Sequence, residues 1–297
     1  RRNGATDSSV LRVAMAESEP SCSLVASSVN EPLVGTAVES VDRWFLLEVN
    51  DVWAPKPLAT EALPERARAR LQEWLETPRT RLQLIRRPGR SGRRSLFMVV
   101  SSDGTAQRVE LESLDDLASL DLESVSREPV DPLVLVCVHG RRDRCCAQYG
   151  SAVYRSLQSR IGDLWQTSHL GGHRFAACVL TLPDGLMYGR VRPEHADDFV
   201  SALHSDEVAD LELFRGRTEY DRPAQAAEIF LRRETGLRVS RALQWLATDE
   251  EGDASWLVRF RYGDDQHAIR VRREDMGVTR PASCGGDAEP AFRFVSE

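Results

Sequence analysis

The sequence predicts an α/β fold, and three observations carry that expectation. Short apolar runs with strand-like patterning recur along the chain, amphipathic helical stretches lie between them, and turn residues punctuate the two. The 41% apolar and 29% charged content is that of a globular protein, and 297 residues suffice for two or three small domains.

Residues 1–20 are small and polar without periodicity, so a flexible N-terminus is expected there. An N-terminal α/β region follows over 21–128. In it Arg43–Val49 reads as a strand and Pro64–Leu75 as a helix with proline in its first turn. Leu82–Arg86 and Ser95–Val100 read as strands of a hairpin turned at Pro88–Gly92. The acidic stretch 110–128, with leucines at 111, 114, 117, 120 and 122, suits a short amphipathic helix. Arg127–Pro132 reads as a linker.

A second domain is expected over 129–208. It opens on the strand Leu133–Cys137, passes through a cysteine-rich loop, and has a helix near 150–160 with Val153, Leu157 and Ile161 on one face. Strands at 175–182 and Leu186–Val191, with a turn at Pro183–Gly185, lead to a helix opening at Pro193. Strand, helix, two antiparallel strands, helix is the order of a thioredoxin-like core. The order of the first region loosely echoes it, but no residues match and no repeat is claimed. Residues 209–297 suggest a small α+β extension, with a helix at Pro223–Glu234 and a hairpin of Trp256–Tyr262 with His267–Arg272.

Soft ligands concentrate in the second domain. Cys137, His139, Cys145 and Cys146 lie in one loop, and His169-Leu-Gly-Gly-His173 follows. Imidazole and thiolate favour zinc, copper or iron–sulfur centres over magnesium or calcium. Gly171 and Gly172 disfavour a helix between the histidines, so a loop that brings both imidazoles to one centre is expected. Six cysteines are too sparse for a disulfide scaffold, and four of them between 137 and 178 favour a metal or redox site in a reducing cytoplasm. Cys178, inside an apolar strand, reads as packing.

The net charge of −7 argues against broad nucleic-acid binding. The longest aliphatic run, Leu133–Val138, is too short to span a bilayer. No secretory signal is legible, and the start at Arg1 rather than methionine allows a removed leader or tag. Seven arginines between 79 and 94 read as an exposed basic hairpin. Trp165, shortly before His169, is a candidate to keep water from the site.

At Cys137-Val-His-Gly-Arg-Arg-Asp-Arg-Cys-Cys146 and His169-Leu-Gly-Gly-His-Arg-Phe-Ala-Ala177 the chain resembles the sucrase/ferredoxin-like family of thioredoxin-like ferredoxins. The likeness reaches Glu31–Ala37, Trp44–Glu48, Leu84–Arg90 and Tyr188–Arg190, and more weakly Gln225–Glu228 and Ser283–Gly285. The resemblance implies a thioredoxin-like ferredoxin domain with one [2Fe–2S] cluster on two cysteines and two histidines. The family pattern maps onto Cys137, Cys146, His169 and His173. Cys145 stands where the pattern usually carries a basic residue, which leaves it as an alternative ligand or a redox-labile thiol. His139, Arg142, Asp143, Gly171 and Gly172 would surround the ligands.

Two neutral imidazoles in place of thiolates make electron uptake easier, as in Rieske centres. The expected function is therefore electron transfer to an unidentified redox partner, with no substrate turnover required. No paired-carboxylate constellation supports sucrase activity. A Cys2His2 zinc module and a thioredoxin-like thiol–disulfide oxidoreductase are the alternatives. The second is weakened by the lack of a C-x-x-C motif.

Overall fold

The computed structural model describes residues 20–89, 92–124 and 130–297. Residues 1–19 of the expected flexible N-terminus, 90–91 of the expected turn, and 125–129, where the expected acidic helix ends and the expected linker begins, lie outside them.

The chain runs α1 (Cys22–Ser28), β1 (Arg43–Glu48), α2 (Glu65–Leu75), β2 (Thr80–Arg86), β3 (Arg94–Val100) and β4 (Thr105–Leu111). It continues through β5 (Leu133–Cys137), α3 (Arg144–Leu157), β6 (Leu164–Thr167), β7 (Val179–Leu182), β8 (Leu186–Tyr188) and α4 (Ala196–His204). β9 (Phe214–Arg217), α5 (Arg222–Thr235), β10 (Gln244–Gly252), β11 (Ser255–Tyr262), β12 (Asp265–Pro281) and β13 (Ala288–Ser296) complete it.

Nine strands form one mixed sheet in the order β4-β3-β1-β2-β6-β5-β7-β8-β9. Counting outward from the central β2–β6 pair, each side reads the same. β2 is parallel to β1, which pairs antiparallel with β3 and β3 with β4. β6 is likewise parallel to β5, which pairs antiparallel with β7 and β7 with β8. A helix, α2 or α3, crosses over within each parallel pair, as parallel strands require. Two halves of one topology therefore meet at β2–β6, whose register is antiparallel.

Strand alternation sends one set of side chains to each face. Phe45, Leu47, Leu84, Val134, Val136 and Val179 pack with residues of α2, α3 and α4. Trp44, Leu46, Ile85, Leu135, Cys137 and Leu180 face the opposite side, against Leu33, Leu170 and Phe175. The C-terminal residues build α5 over a four-stranded antiparallel sheet, β10-β11-β12-β13, around Phe260, Val258 and Val271. β9 pairs with β8, so the start of this segment widens the large sheet.

Several expectations are corrected. β2 and β3 do not form a hairpin: both flank β1, whose Trp44–Leu47 run is buried on both faces and needs a strand on each side. The expected helix over 110–128 reduces to a 3-10 turn, Leu114–Ser119, since Leu111 ends a strand paired with β3. The helix placed near 150–160 begins at Arg144, capped by the Asp143 carboxylate on the Cys145 backbone N–H. Cys145 and Cys146 thus sit in a helical first turn, not a loop. Among the described residues no helix is long and apolar enough to cross a membrane.

Candidate metal centre

The site forms where the parallel pair β5–β6 ends. Parallel strands bring their C-terminal ends to one edge, a common position for binding sites in α/β folds. Alternation turns the last residue of β5, Cys137, toward the Trp44–Leu135 face. α3 then packs hard against that strand end. A Cβ on Gly150 would collide with the Cys137 carbonyl oxygen, so only glycine lets the helix come this close. The close approach brings Cys146 in beside Cys137.

His169 follows β6 by two residues. Its Nδ1 lies 3.7 Å from Cys146 Sγ, and one ligand atom each from Cys137, Cys146 and His169 all fall within 4.8 Å of one another. The His169 backbone is held at both ends: its N–H donates to His139 Nδ1 at 3.2 Å, and its carbonyl accepts from Arg81 Nη2 at 3.0 Å. Gly171 and Gly172 then reverse the chain at φ +106° and +70°. The fully buried Arg215 pins this reversal through a bond from Nη1 to the Gly171 carbonyl at 3.0 Å. His173 enters a 3-10 turn with its ring centroid 4.9 Å from that of His169, tilted 31°. The pair of glycines thus folds the two imidazoles face to face.

Protonation favours ligation. Cys137 is held well below the usual thiol range by hydrogen bonding from Cys146, with burial opposing and His169 assisting. Cys146 is correspondingly raised, because it shares its proton with Cys137 and is buried. Burial lowers both His139 and His173, keeping their imidazoles neutral. Burial also lowers Arg81, to about 10, despite the nearby Cys137.

The surrounding residues take distinct parts. His139 orients His169 as described, and Trp53 stands edge-on to His139 with centroids 5.8 Å apart. Arg142 shares a cleft with His169. Asp143 caps α3 and places Oδ2 3.8 Å from His173 Nε2. Its carboxyl is held low, burial being outweighed by the backbone N–H groups of Cys284 and Cys145. Trp165, expected near the site, meets Phe97 edge-on with centroids 5.6 Å apart and carries the Arg87 guanidinium over its ring at 4.1 Å. Cys145 diverges from its neighbour, since successive helical residues point about 100° apart. Its Sγ lies 3.6 Å from Cys22 and 3.4 Å from Cys284. Cys178 is packed in the apolar face as expected, but it lies just before β7, which begins at Val179 rather than at 175, and burial pushes its thiol up to about 11.

Sequence reasoning missed Arg81 and Arg215, which carry no ligand signature and act through backbone carbonyls. It also missed that Cys22 and Cys284 approach Cys145. Cys22 carried no signal beyond being a cysteine outside the main cluster, whereas Cys284 lies in Ser283–Gly285, a segment of weak family likeness.

The sucrase/ferredoxin-like family profile matches residues 33–216, and the chain belongs to that family. A relative, altered inheritance of mitochondria protein 32 of Meyerozyma guilliermondii, is 28% identical over 118 residues. That match covers 36% of this chain and 42% of the relative, less than half its length. Two cysteine-to-serine variants of the thioredoxin-like [2Fe-2S] ferredoxin from Aquifex aeolicus align at 21% and 22% identity. Each alignment covers 29% of this chain and 99% of the ferredoxin, with a TM-score of 0.26.

Proposed function

We propose that this protein transfers single electrons through a [2Fe–2S] cluster held by Cys137, Cys146, His169 and His173. The observation that carries the reading is the convergence of Cys137, Cys146 and His169 from β5, α3 and the double-glycine loop, with the His173 ring set 4.9 Å from that of His169 just beyond that group. The donor set fits such a cluster: two buried thiols, two imidazoles, and a buried His173 Nδ1 with no hydrogen-bond partner among the described residues. When bound, the cluster supplies a one-electron couple at a potential raised by imidazole ligation.

The chain's own residues define the rest. Ligation removes the thiol protons, and the hydrogen bond from Cys146 that holds Cys137 below the usual thiol range favours its loss. Arg81 places positive charge near Cys137, and the buried Arg215 places it near Cys178. His169 is half-exposed and lines a cleft of about 500 Å³ with Lys56, Leu58, Leu75, Arg81 and Arg142. That basic and apolar edge is where we place the docking of an acidic redox partner. We place the protein in a reducing compartment such as the cytoplasm, where free thiols persist.

The test is anaerobic purification with metal analysis, visible absorption and EPR. Two irons per chain and a rhombic signal on reduction are expected, with a midpoint potential that falls as pH turns alkaline and the histidine N–H groups deprotonate. A flat pH profile sinks histidine ligation. His169→Cys should keep the cluster and lower the potential. A second reading, one zinc ion, draws on the three ligand atoms lying within 4.8 Å. A colourless protein with zinc at these residues would establish it.

A further inference from the structure

Cys22, Cys145 and Cys284 come from three remote parts of the chain: the first residue of α1, the first turn of α3, and the connection between β12 and β13. Their sulfurs form a near-equilateral triangle with edges of 3.6, 3.4 and 3.6 Å. Asp143 closes the group, with Oδ1 3.4 Å from Cys284 Sγ and Oδ2 3.8 Å from Cys22 Sγ. We infer that these four residues form a second metal site, a tetrahedral S3O zinc centre that is structural and distinct from the Cys2His2 set.

The dimensions suit that ion. With Zn–S near 2.3 Å and Zn–O near 2.0 Å, a tetrahedron sets neighbouring sulfurs about 3.8 Å apart and sulfur to oxygen about 3.5 Å. The triangle is slightly tighter than that, and a disulfide would need a sulfur pair near 2.05 Å instead. Cys22 and Cys145 are fully buried and Asp143 nearly so, which encloses the site as structural zinc centres are enclosed. Both carboxylate oxygens are oriented by backbone N–H groups, from Cys145 at 2.8 Å and Cys284 at 2.9 Å. Such outer bonds hold a ligating carboxylate in place.

The zinc would staple α1 and the C-terminal sheet to the start of α3. An ion pair from Arg280 at the end of β12 to Glu31 just after α1, 2.8 Å long, joins two of the same parts. Because Cys146 follows Cys145 directly, the staple also steadies one ligand of the redox site. The inference nevertheless stands without the iron–sulfur reading, since no residue is shared.

The experiment is elemental analysis of the full chain purified anaerobically, wild type beside the double variant Cys22→Ser/Cys284→Ser. Wild type should carry one zinc that the double variant lacks, with iron and visible absorption unchanged. If the Cys2His2 residues hold zinc as well, the count should fall from two to one. Iron content tests the cluster separately: a wild type with no iron but one variant-sensitive zinc keeps this site and removes the cluster. Should the variant fail to fold, the wild type answers alone. Cys284 should then resist iodoacetamide until a zinc chelator is added, as read by peptide mapping. No zinc in the wild type, zinc retained by the folded double variant, copper in its place, chelator-independent alkylation, or a disulfide among the three thiols would each overturn the assignment.

Discussion

The two halves of the large sheet share a topology but not a chemistry. Glu48, Ile85, Thr167 and Cys137 lie in one row across the centre, paired in turn through β1–β2, β2–β6 and β6–β5. Glu48 is therefore the positional counterpart of Cys137. Where the second half presents a thiol, the first presents a carboxylate that accepts the Ser95 backbone N–H at 3.0 Å. After Thr167 come Ser168 and His169; after its partner Ile85 come Arg86 and Arg87. The first half fills its strand ends structurally, with Trp53 Nε1 bonded to the Val49 carbonyl at 2.8 Å and Arg86 stacked over that indole. One architecture thus offers two equivalent positions, and only side-chain identity gathers soft metal-binding groups at one of them.

Substitutions can sharpen or break this contrast. The largest effect is expected for His169→Ala, which should abolish iron binding, read as iron per folded chain. If the cluster survives it, the second half is not the metal-bearing one as described. In the first half, Leu84→Ala should cost about 2–5 kcal/mol in denaturant unfolding, because Leu84 is fully buried, yet leave iron per folded chain unchanged.

Cys178 offers a pH test within the second half. Its thiol is raised from 9.0 to about 11 by burial, so the folded state holds the proton more tightly than the unfolded chain. Its contribution is complete below about pH 9 and is lost as pH climbs through 11, by roughly 3 kcal/mol at most. Cys178→Ala should flatten that alkaline limb in unfolding measurements. The smallest effect expected is for Gly172→Ala. Its φ of +70° and the Arg215 guanidinium packed over it predict a loss of about 1–2 kcal/mol in unfolding free energy. Arg215→Lys should release the same loop and broaden the EPR signal of the cluster.

Much of this was legible locally. β5 matches its expected span, and α2 and α5 match within a residue, because each carries an unbroken pattern and clear end signals. The His169–His173 loop was legible from two glycines. The β2–β3 hairpin was misread because proximity in sequence suggests pairing, whereas burial of β1 on both faces required two partners. The stretch after Leu111 was misread because leucine spacing fits a helix or the end of a strand equally well until the partner strand is known.

The sequence by itself determined which residues have the chemistry to hold a soft metal, and most of the strands, helices and reversals, since those depend on composition and neighbours only a few positions away. The tertiary structure decided which thiols share a site. Cys145 and Cys146 are adjacent in the chain but part company, one toward Cys22 and Cys284 and the other toward His169, because a helical turn points consecutive side chains in different directions. Which partners wait in each direction is set by strand order and by the docking of the C-terminal sheet, and no local pattern encodes that.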